Sequence, residues 1–416
     1  MNPRRAAELA ARDSYGRLVA YLAARTRDIA AAEDALGEAF LSALQSWPET
    51  GVPSSPEAWL LVAARRQLID AARRRQIQDR VLHAFESVFF SPSIEASLDA
   101  VEFSDDHLKL LFICAHPAIQ STMHTPLMLQ VVLGLNAAQI GSAFLVAPTT
   151  MGQRLVRAKS KIRDASIPFE VPAVKDLPER LTAVLEAIYA AYTHGWEGVA
   201  GGDRRHRSLV EEAVWLARLC VQLMPQEPET WGLLALMLYC ESRGAARRTA
   251  SGAYVPLCQQ DPRLWSPALI REAEQALTRA SQSKRVGRFQ LEAAIQSVHA
   301  QRAVTQQTDW SALGLLYEGL VQLSPTLGAL VNQAAVIAHT RGLAYGLQHL
   351  DQLPVECIQN YQPYWAARAH ILQQLGRNAE AQQAYAQAIG LAEDAAVRDF
   401  LLRQSSELTV REEPEP

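Results

Sequence analysis

The stretch Leu135–Arg163, LNAAQIGSAFLVAPTTMGQRLVRAKSKIR, writes two short helices around a tight turn and makes only the second strongly basic. Asn136 has a side chain suited to cap the first helix, and Gln139, three residues on, has the capping-box spacing to reach back to it. Ile140, Ala143 and Phe144 are expected to supply that helix with its buried stripe. Pro148, whose missing N–H costs nothing in a first turn, then restarts the chain as a helix. In this second helix Met151, Leu155, Ala158 and Ile162 recur at steps of four, three and four, which buries one face and turns Thr150, Gln153, Arg154, Arg157 and Lys161 outward. Between Thr149 and Ala165 five Lys or Arg residues stand against Asp164 alone. That balance suits neutralisation of phosphates along a major groove. The segment reads as a DNA-binding helix-turn-helix, and its competitor is a solvated surface helix with a basic bias.

The rest of the composition frames that signal. The 416 residues are 49% hydrophobic and 20% charged, enough to bury more than one core and to suggest two or three domains. No apolar run approaches the roughly 18 residues of a membrane span. The N-terminus, MNPRRAAELAARDSYGR, lacks the apolar core of a secretion signal, so a cytoplasmic protein with no membrane partner is expected. The five cysteines, Cys114, Cys220, Cys240, Cys258 and Cys357, are odd in number and scattered, which fits thiols in a reducing compartment better than a disulfide framework. A formal net charge of −4 is low for a free-standing repressor that holds DNA by charge, and points to DNA contact in company with a larger machine.

Strand signals are almost absent, while helical periodicities rich in Ala, Leu, Arg, Gln and Glu run through most of the length, so the fold is expected to be all-α. Breaks marked by Pro, Gly or lost periodicity divide it into a module at 1–80, a linker at 81–104, the helix-turn-helix module at 105–165, a linker at 166–176, a long helical domain at 177–405 and an acidic tail at 406–416. Ile167, Phe169, Val171 and Val174 would be costly to leave exposed, so the segment SIPFEVPAVKDLP is expected to pack down. A fragment ending at about Arg163 is expected to be a soluble pair of modules whose activity differs from that of the full chain.

In the first module, DIAAAEDALGEAFLSALQSW starts a helix at Asp28, with Ile29, Ala32, Leu36, Phe40, Ala43 and Trp47 on its core side. Asp34, Gly37, Glu38 and Leu41 form a second, acidic and partly apolar stripe, suited either to docking on an arginine-rich partner helix or to plain solvation. The next helix opens at SSPEAW, where Ser54 and Glu57 have capping-box spacing, and ends in Arg73, Arg74 and Arg75, which also answer the helix dipole.

AEDALGEAFLSALQSW, PEAWLLVAARRQLIDAARRR and, after a linker, LNAAQIGSAFLVAPTTMGQRLVRAKSKIR together resemble regions two and four of an extracytoplasmic-function (ECF) RNA polymerase sigma factor. Further segments, among them DDHLKLLFICAHPA, LPERLTAVLEAIYAAY, GRFQLEAAIQSVHA and TDWSALGLLYEGL, are similar to the ECF group with a long C-terminal tetratricopeptide-like extension. The resemblance implies a non-catalytic specificity subunit whose partners are core RNA polymerase, through the β′ clamp coiled coil and the β flap, and promoter DNA. By that resemblance Asp34, Glu38 and Leu41 bind the polymerase, although Gly37 replaces a frequent glutamine. Trp59, Arg65, Arg66, Arg73 and Arg74 fall in the segment that engages the opened minus-ten element, Asp70 among them, with Trp59 equally suited to a core role. Thr149, Thr150, Gln153, Arg154, Arg157 and Lys161 fall in the recognition helix for the minus-thirty-five element.

PYWAARAHILQQLGRNAEAQQAYAQAIGLA, from Pro363 to Ala392, resembles a tetratricopeptide unit, with Leu375 and Gly376 at its turn and Ala381, Tyr385 and Ala388 on its second helix. Looser helix pairs precede it, and stacking them would build one continuous core able to hold a protein partner or ligand, or simply to regulate the sigma modules. Catalysis finds little support, and neither a cofactor nor a metal is expected. His107, Cys114, His116 and His124 lack the paired spacing of a zinc site, and GVAGGD at Gly198–Gly202 reads as a loop rather than a phosphate cradle. Asp309, Trp310 and His299 suit a ligand pocket less well than helix caps and core. The rival reading is a helix-turn-helix regulator or scaffold that binds duplex DNA alone and senses through its repeats.

Overall fold

The computed structural model describes residues 3–76, 100–132, 134–144, 146–173, 176–198 and 204–410. Among them every regular element is a helix, and the one extended pairing is an isolated antiparallel bridge between Arg248 and Tyr254. The fold is all-α. The chain forms two compact units, one ending at Leu219 and the other beginning at Cys220.

The first unit opens with α1 (Pro3–Thr26), α2 (Ile29–Thr50) and α3 (Pro56–Gln76), with α2 packed against both of the others. Arg27 takes a left-handed backbone (φ 54°) that stops α1, and the Asp28 side chain accepts the Ala31 N–H at 3.1 Å to start α2. Gly51, at φ 84°, ends α2 with its N–H on the Trp47 carbonyl. The apolar side of α2 is Ile29, Ala32, Ala35, Leu36, Ala39, Ala43 and Trp47, while Phe40 is only half-buried. The expected capping box of α3 is not formed. Ser55, not Ser54, accepts the Ala58 N–H at 3.4 Å. Glu57 turns instead to α1, where it meets the Arg17 guanidinium at 3.4 Å and the Ser14 hydroxyl, so a charged tertiary partner wins over a local cap.

Next come α4 (Ala100–Cys114), α5 (His124–Val131), α6 (Ala137–Ala143) and α7 (Pro148–Asp164). The capping box read at α6 is present: Asn136 accepts the N–H groups of Ala138 and Gln139 at 3.0 Å, and Gln139 accepts that of Asn136 at 3.0 Å. A side chain at Gly141 would run into the Val146 carbonyl, so glycine permits the tight turn into α7. α4 and α5 lie on α1 as well, and there a Cβ at Gly16 would collide with the Val132 carbonyl oxygen and His107.

Ile167 is buried, as its apolar character demanded, but Val171 is exposed, and Val174 lies outside the described residues. The chain continues into α8 (Leu177–Gly198) and α9 (Arg204–Leu223). Leu181, Val184, Leu185 and Ile188 of α8 are buried, and α8 packs on α5 and α4, while Trp215 of α9 sits 5.4 Å from the His107 ring. These two helices therefore complete the first unit, and the division falls inside α9.

The second unit contains α10 (Pro228–Ser242), α11 (Pro267–Ser281), α12 (Arg288–Ala300), α13 (Trp310–Leu323), α14 (Leu327–Thr340), α15 (Leu343–Asp351), α16 (Gln362–Gln374), α17 (Asn378–Leu391) and α18 (Ala395–Val410). Neighbours pair as α10 with α11 and α12, α13 with α14, and α16 with α17. The Glu229 carboxylate of α10 accepts the N–H groups of Phe289 (2.9 Å) and Gln290 (3.1 Å) and so caps α12 from another element. Leu375 and Gly376, the latter at φ 73°, make the turn between α16 and α17, and Ala381, Tyr385 and Ala388 are buried on α17.

Candidate nucleic-acid interface

Two helices carry most of the expected site. On α7 the stripe Met151, Leu155, Ala158 and Ile162 is buried, and Thr149, Thr150, Gln153, Arg154, Arg157 and Lys161 are all exposed. Pro148 occupies the first turn with no side-chain cap from Ala147, leaving the early N–H groups of α7 to solvent or to an anion. Val156, 59% exposed on the same helix, adds an apolar group among these donors that the sequence reading did not single out.

Of the other two basic residues of α7, Lys159 is turned inward to α2, while Arg163 is exposed at its edge. Lys159 Nζ lies 2.5 Å from Glu33 Oε2, both side chains only 12% exposed, and Arg163 Nη1 lies 3.9 Å from Asp28 Oδ2. Burial pushes the Glu33 carboxyl up from its ordinary value against the opposing pull of Lys159. No local signal distinguishes Lys159 from Lys161 in the sequence; only the position of α2 does.

On α2 itself Asp34, Gly37 and Glu38 are exposed, followed by Leu41 at 54% exposure and Leu44. An acidic stripe grading into apolar surface is thus present on the side of α2 opposite to its core residues. On α3, Trp59 is half-buried and stacks edge-on against the buried Trp47 at 5.5 Å, so it serves the core through one face and leaves the rest open. Arg65 is half-buried, and Arg66 and Asp70 are exposed. The side chains of Arg73 and Arg74, at the end of α3, lie outside the described residues.

The histidines and cysteine weighed as metal ligands have other work. His107 is enclosed in the core, where burial and then the Arg17 charge push its pKa down to about 3, against a backbone contact at Val132. Burial pushes the Cys114 thiol far up. His124 Nε2 meets the carbonyls of His116 (3.2 Å) and Ile119 (3.0 Å), ordering the turn before α5. Among the described residues no three His, Cys, Asp or Glu side chains are grouped to hold a metal ion, and no helix is long and apolar enough to cross a membrane. In the second unit Asp309 caps α13 through the Ala312 N–H at 2.9 Å, and Trp310 stacks on His339 at 3.8 Å. His299 is pressed down to about 4 by burial, with Arg243 and Arg302 adding to the effect.

Residues 11–77, from within α1 to the end of α3, match the sigma-70 region 2 family. This supports a sigma-factor role in transcription initiation. Residues 180–281 match a family of unknown function, DUF6596. An uncharacterized protein of Rhizobium meliloti (strain 1021) is 38% identical over 386 residues, covering 92% of this chain and 91% of that protein. The chain belongs to the same family as that protein.

Proposed function

We propose that the chain is an ECF-type sigma factor with a regulatory or partner-binding helical extension. The carrying observation is the pairing of a sigma-70 region 2 match with the exposed Asp34, Glu38 and Leu41 stripe on its second helix. In this reading that stripe docks on the β′ clamp coiled coil of core RNA polymerase and α7 approaches the β flap. Trp59, Arg65, Arg66, Arg73 and Arg74 engage the opened minus-ten strand by stacking and phosphate contact. The α6–α7 pair acts as a helix-turn-helix on the minus-thirty-five element: Thr149, Thr150, Gln153, Arg154, Arg157 and Lys161 supply donors to phosphates and base edges. The extension, which we read as tetratricopeptide-like at α16 and α17, binds a protein or ligand that sets the activity of the sigma modules.

The test is reconstituted initiation from genomic promoter fragments with core polymerase, with and without the chain. Promoter-specific transcripts that depend on the chain are the expected result. DNA binding in the absence of polymerase, with no effect on initiation, would overturn this reading and favour a stand-alone regulator, which has no use for the acidic stripe on α2.

A further inference from the structure

Early and late parts of the second unit meet along one seam. After α10 the chain runs through residues 246–264, where Arg248 and Tyr254 form the antiparallel bridge. α18 comes back to this segment: the Arg248 guanidinium pairs with one oxygen of the Asp394 carboxylate, and the Tyr254 and Phe400 rings meet edge-on at 5.6 Å. The other oxygen of Asp394 accepts the Ala396 N–H at 2.8 Å, so the residue that starts α18 also ties it to the bridge. Between the segment and the helix lies an open cleft of about 800 Å³. Small-molecule sites have roughly this size, about 300–1,000 Å³.

Among the described residues the charged side chains that line the cleft are Arg248, Asp261, Arg403 and Glu407. The first two are already engaged, Arg248 by Asp394 and Asp261 by the Arg263 guanidinium at 2.7 Å. Arg403 and Glu407 are exposed and stand one turn apart on α18, a spacing at which opposite charges often pair. Here they do not. The Arg403 guanidinium has no partner among the described residues, and Glu407 meets the Gln404 amide at 3.4 Å. Phe400, Arg403, Gln404 and Glu407 recur at helical spacing, so one face of α18 presents a ring, a cation and an anion in that order. The two charges are about 6 Å apart along the helix axis. Leu264, 55% exposed, adds apolar surface to the facing wall.

That order selects a ligand. A phosphate-bearing molecule would bring two or more negative charges to a single guanidinium with Glu407 beside it. A simple carboxylate leaves Glu407 unanswered, and a simple amine leaves Arg403 unanswered. The two charges of a single amino acid sit on one carbon atom, closer together than the pair on the helix. Two residues of extended chain span about 7 Å, which matches that pair. We propose that the cleft between residues 246–264 and α18 binds a dipeptide-sized zwitterion: its carboxylate on Arg403, its ammonium on Glu407, and an aromatic ring of its carboxyl-terminal residue against Phe400 and Tyr254. Its consequence for initiation rests on the reading of the extension as a binding domain; the site itself does not.

The experiment is calorimetric titration of the full chain with glycyl-phenylalanine. A dissociation constant on the order of 0.1 mM is expected for a ligand of this size. Glycyl-leucine, which lacks the ring, should bind about five-fold more weakly. Phenylalanyl-glycine, with the ring at the other end, should also bind more weakly. Amidating the probe's carboxylate should weaken binding to the unaltered chain about ten-fold and make no difference to Arg403→Gln. Acetylating its amino group should do the same for the unaltered chain and make no difference to Glu407→Gln. Both positions are exposed, so thermal midpoints should stay unchanged and report that the variants fold. Failure of glycyl-phenylalanine to bind overturns the proposal, as does binding that both variants retain or that adenosine or phenylacetate matches. If these dependences hold while glycyl-phenylalanine leaves reconstituted initiation unchanged, the site stands and the extension's control of the sigma modules through it falls.

Discussion

Arg157 and Lys159 stand two residues apart on one helix and face opposite environments, the first open to solvent and the second nearly enclosed against Glu33. Charge alone therefore does not mark a DNA contact, and exposure sorts the five basic residues of α7. Arg154→Ala is expected to cost about 1–3 kcal/mol of discrimination between promoter sequences if the guanidinium reads a base edge, and a sequence-independent loss if it meets phosphate. Competition binding on wild-type and point-changed promoters separates the two. Reversal of Asp34 and Glu38 to Lys should abolish core-polymerase binding while shifting stability by no more than about 0.5 kcal/mol, because both are exposed. Unchanged binding by the folded double variant removes α2 from the interface. His107 gives a pH signature. Its folded pKa, about 3, lies below the ordinary 6.5, so the unfolded chain takes up a proton that the folded chain refuses as pH falls. Stability is complete above pH 6.5 and declines below it by roughly 1.4 kcal/mol per pH unit from this group. Urea midpoints between pH 7 and 5 should fall, and fall less in His107→Leu; an identical slope in that variant assigns the dependence elsewhere.

At the scale of elements, what the sequence made legible was local. The stripe Met151, Leu155, Ala158 and Ile162 follows from helical period, and the Asn136–Gln139 box from side chains that reach their own backbone, so neither needed knowledge of a neighbour. Ser54 and Glu57 have the same spacing and did not form the box, because α1 brings Arg17 and Ser14 to Glu57. Glu229 shows the complementary case: nothing near it in sequence announces a cap, yet it caps α12 some 60 residues on. Gly287 is what allows it to do so, since a Cβ there would collide with the Glu229 carboxylate. Glu229→Ala leaves the N–H groups of Phe289 and Gln290 without this acceptor and should cost about 1–3 kcal/mol. Hydrogen exchange should rise selectively in the first turn of α12, and uniform exchange across the second unit would show that the carboxylate has a different role. The exposed donor face of α7 was legible because it lies on one amphipathic helix. The Lys159–Glu33 pair was not, because an ion pair between residues 126 apart in sequence is set by tertiary packing alone.

For the molecule as a whole, the proline-rich segment after α7 reads as a domain boundary, whereas the packing carries the first unit on to Leu219. Proline marks where a helix stops, not where burial stops. Leu181, Val184, Leu185, Ile188 and Tyr192 of α8 are buried in a unit that includes α4 and α5. At about 1.5–3 kcal/mol for each buried aliphatic or aromatic side chain, their removal withdraws roughly 10 kcal/mol. Domains have only about 5–15 kcal/mol of net stability, so the loss is comparable to the whole. The fragment ending at Arg163 is therefore no longer expected to be a soluble pair of modules. It should aggregate or show loosened packing, while a fragment carried through Leu223, the end of α9, should unfold cooperatively. Calorimetry and gel filtration of the two fragments decide the matter. A monomeric, cooperatively unfolding fragment 1–163 would mean that α8 and α9 merely cover a surface that is stable without them. If instead only the longer fragment folds, it is the one in which loss of the second unit can be read cleanly: initiation by this fragment that differs from that of the full chain assigns the second unit a regulatory role, and equal initiation leaves it a tethered scaffold.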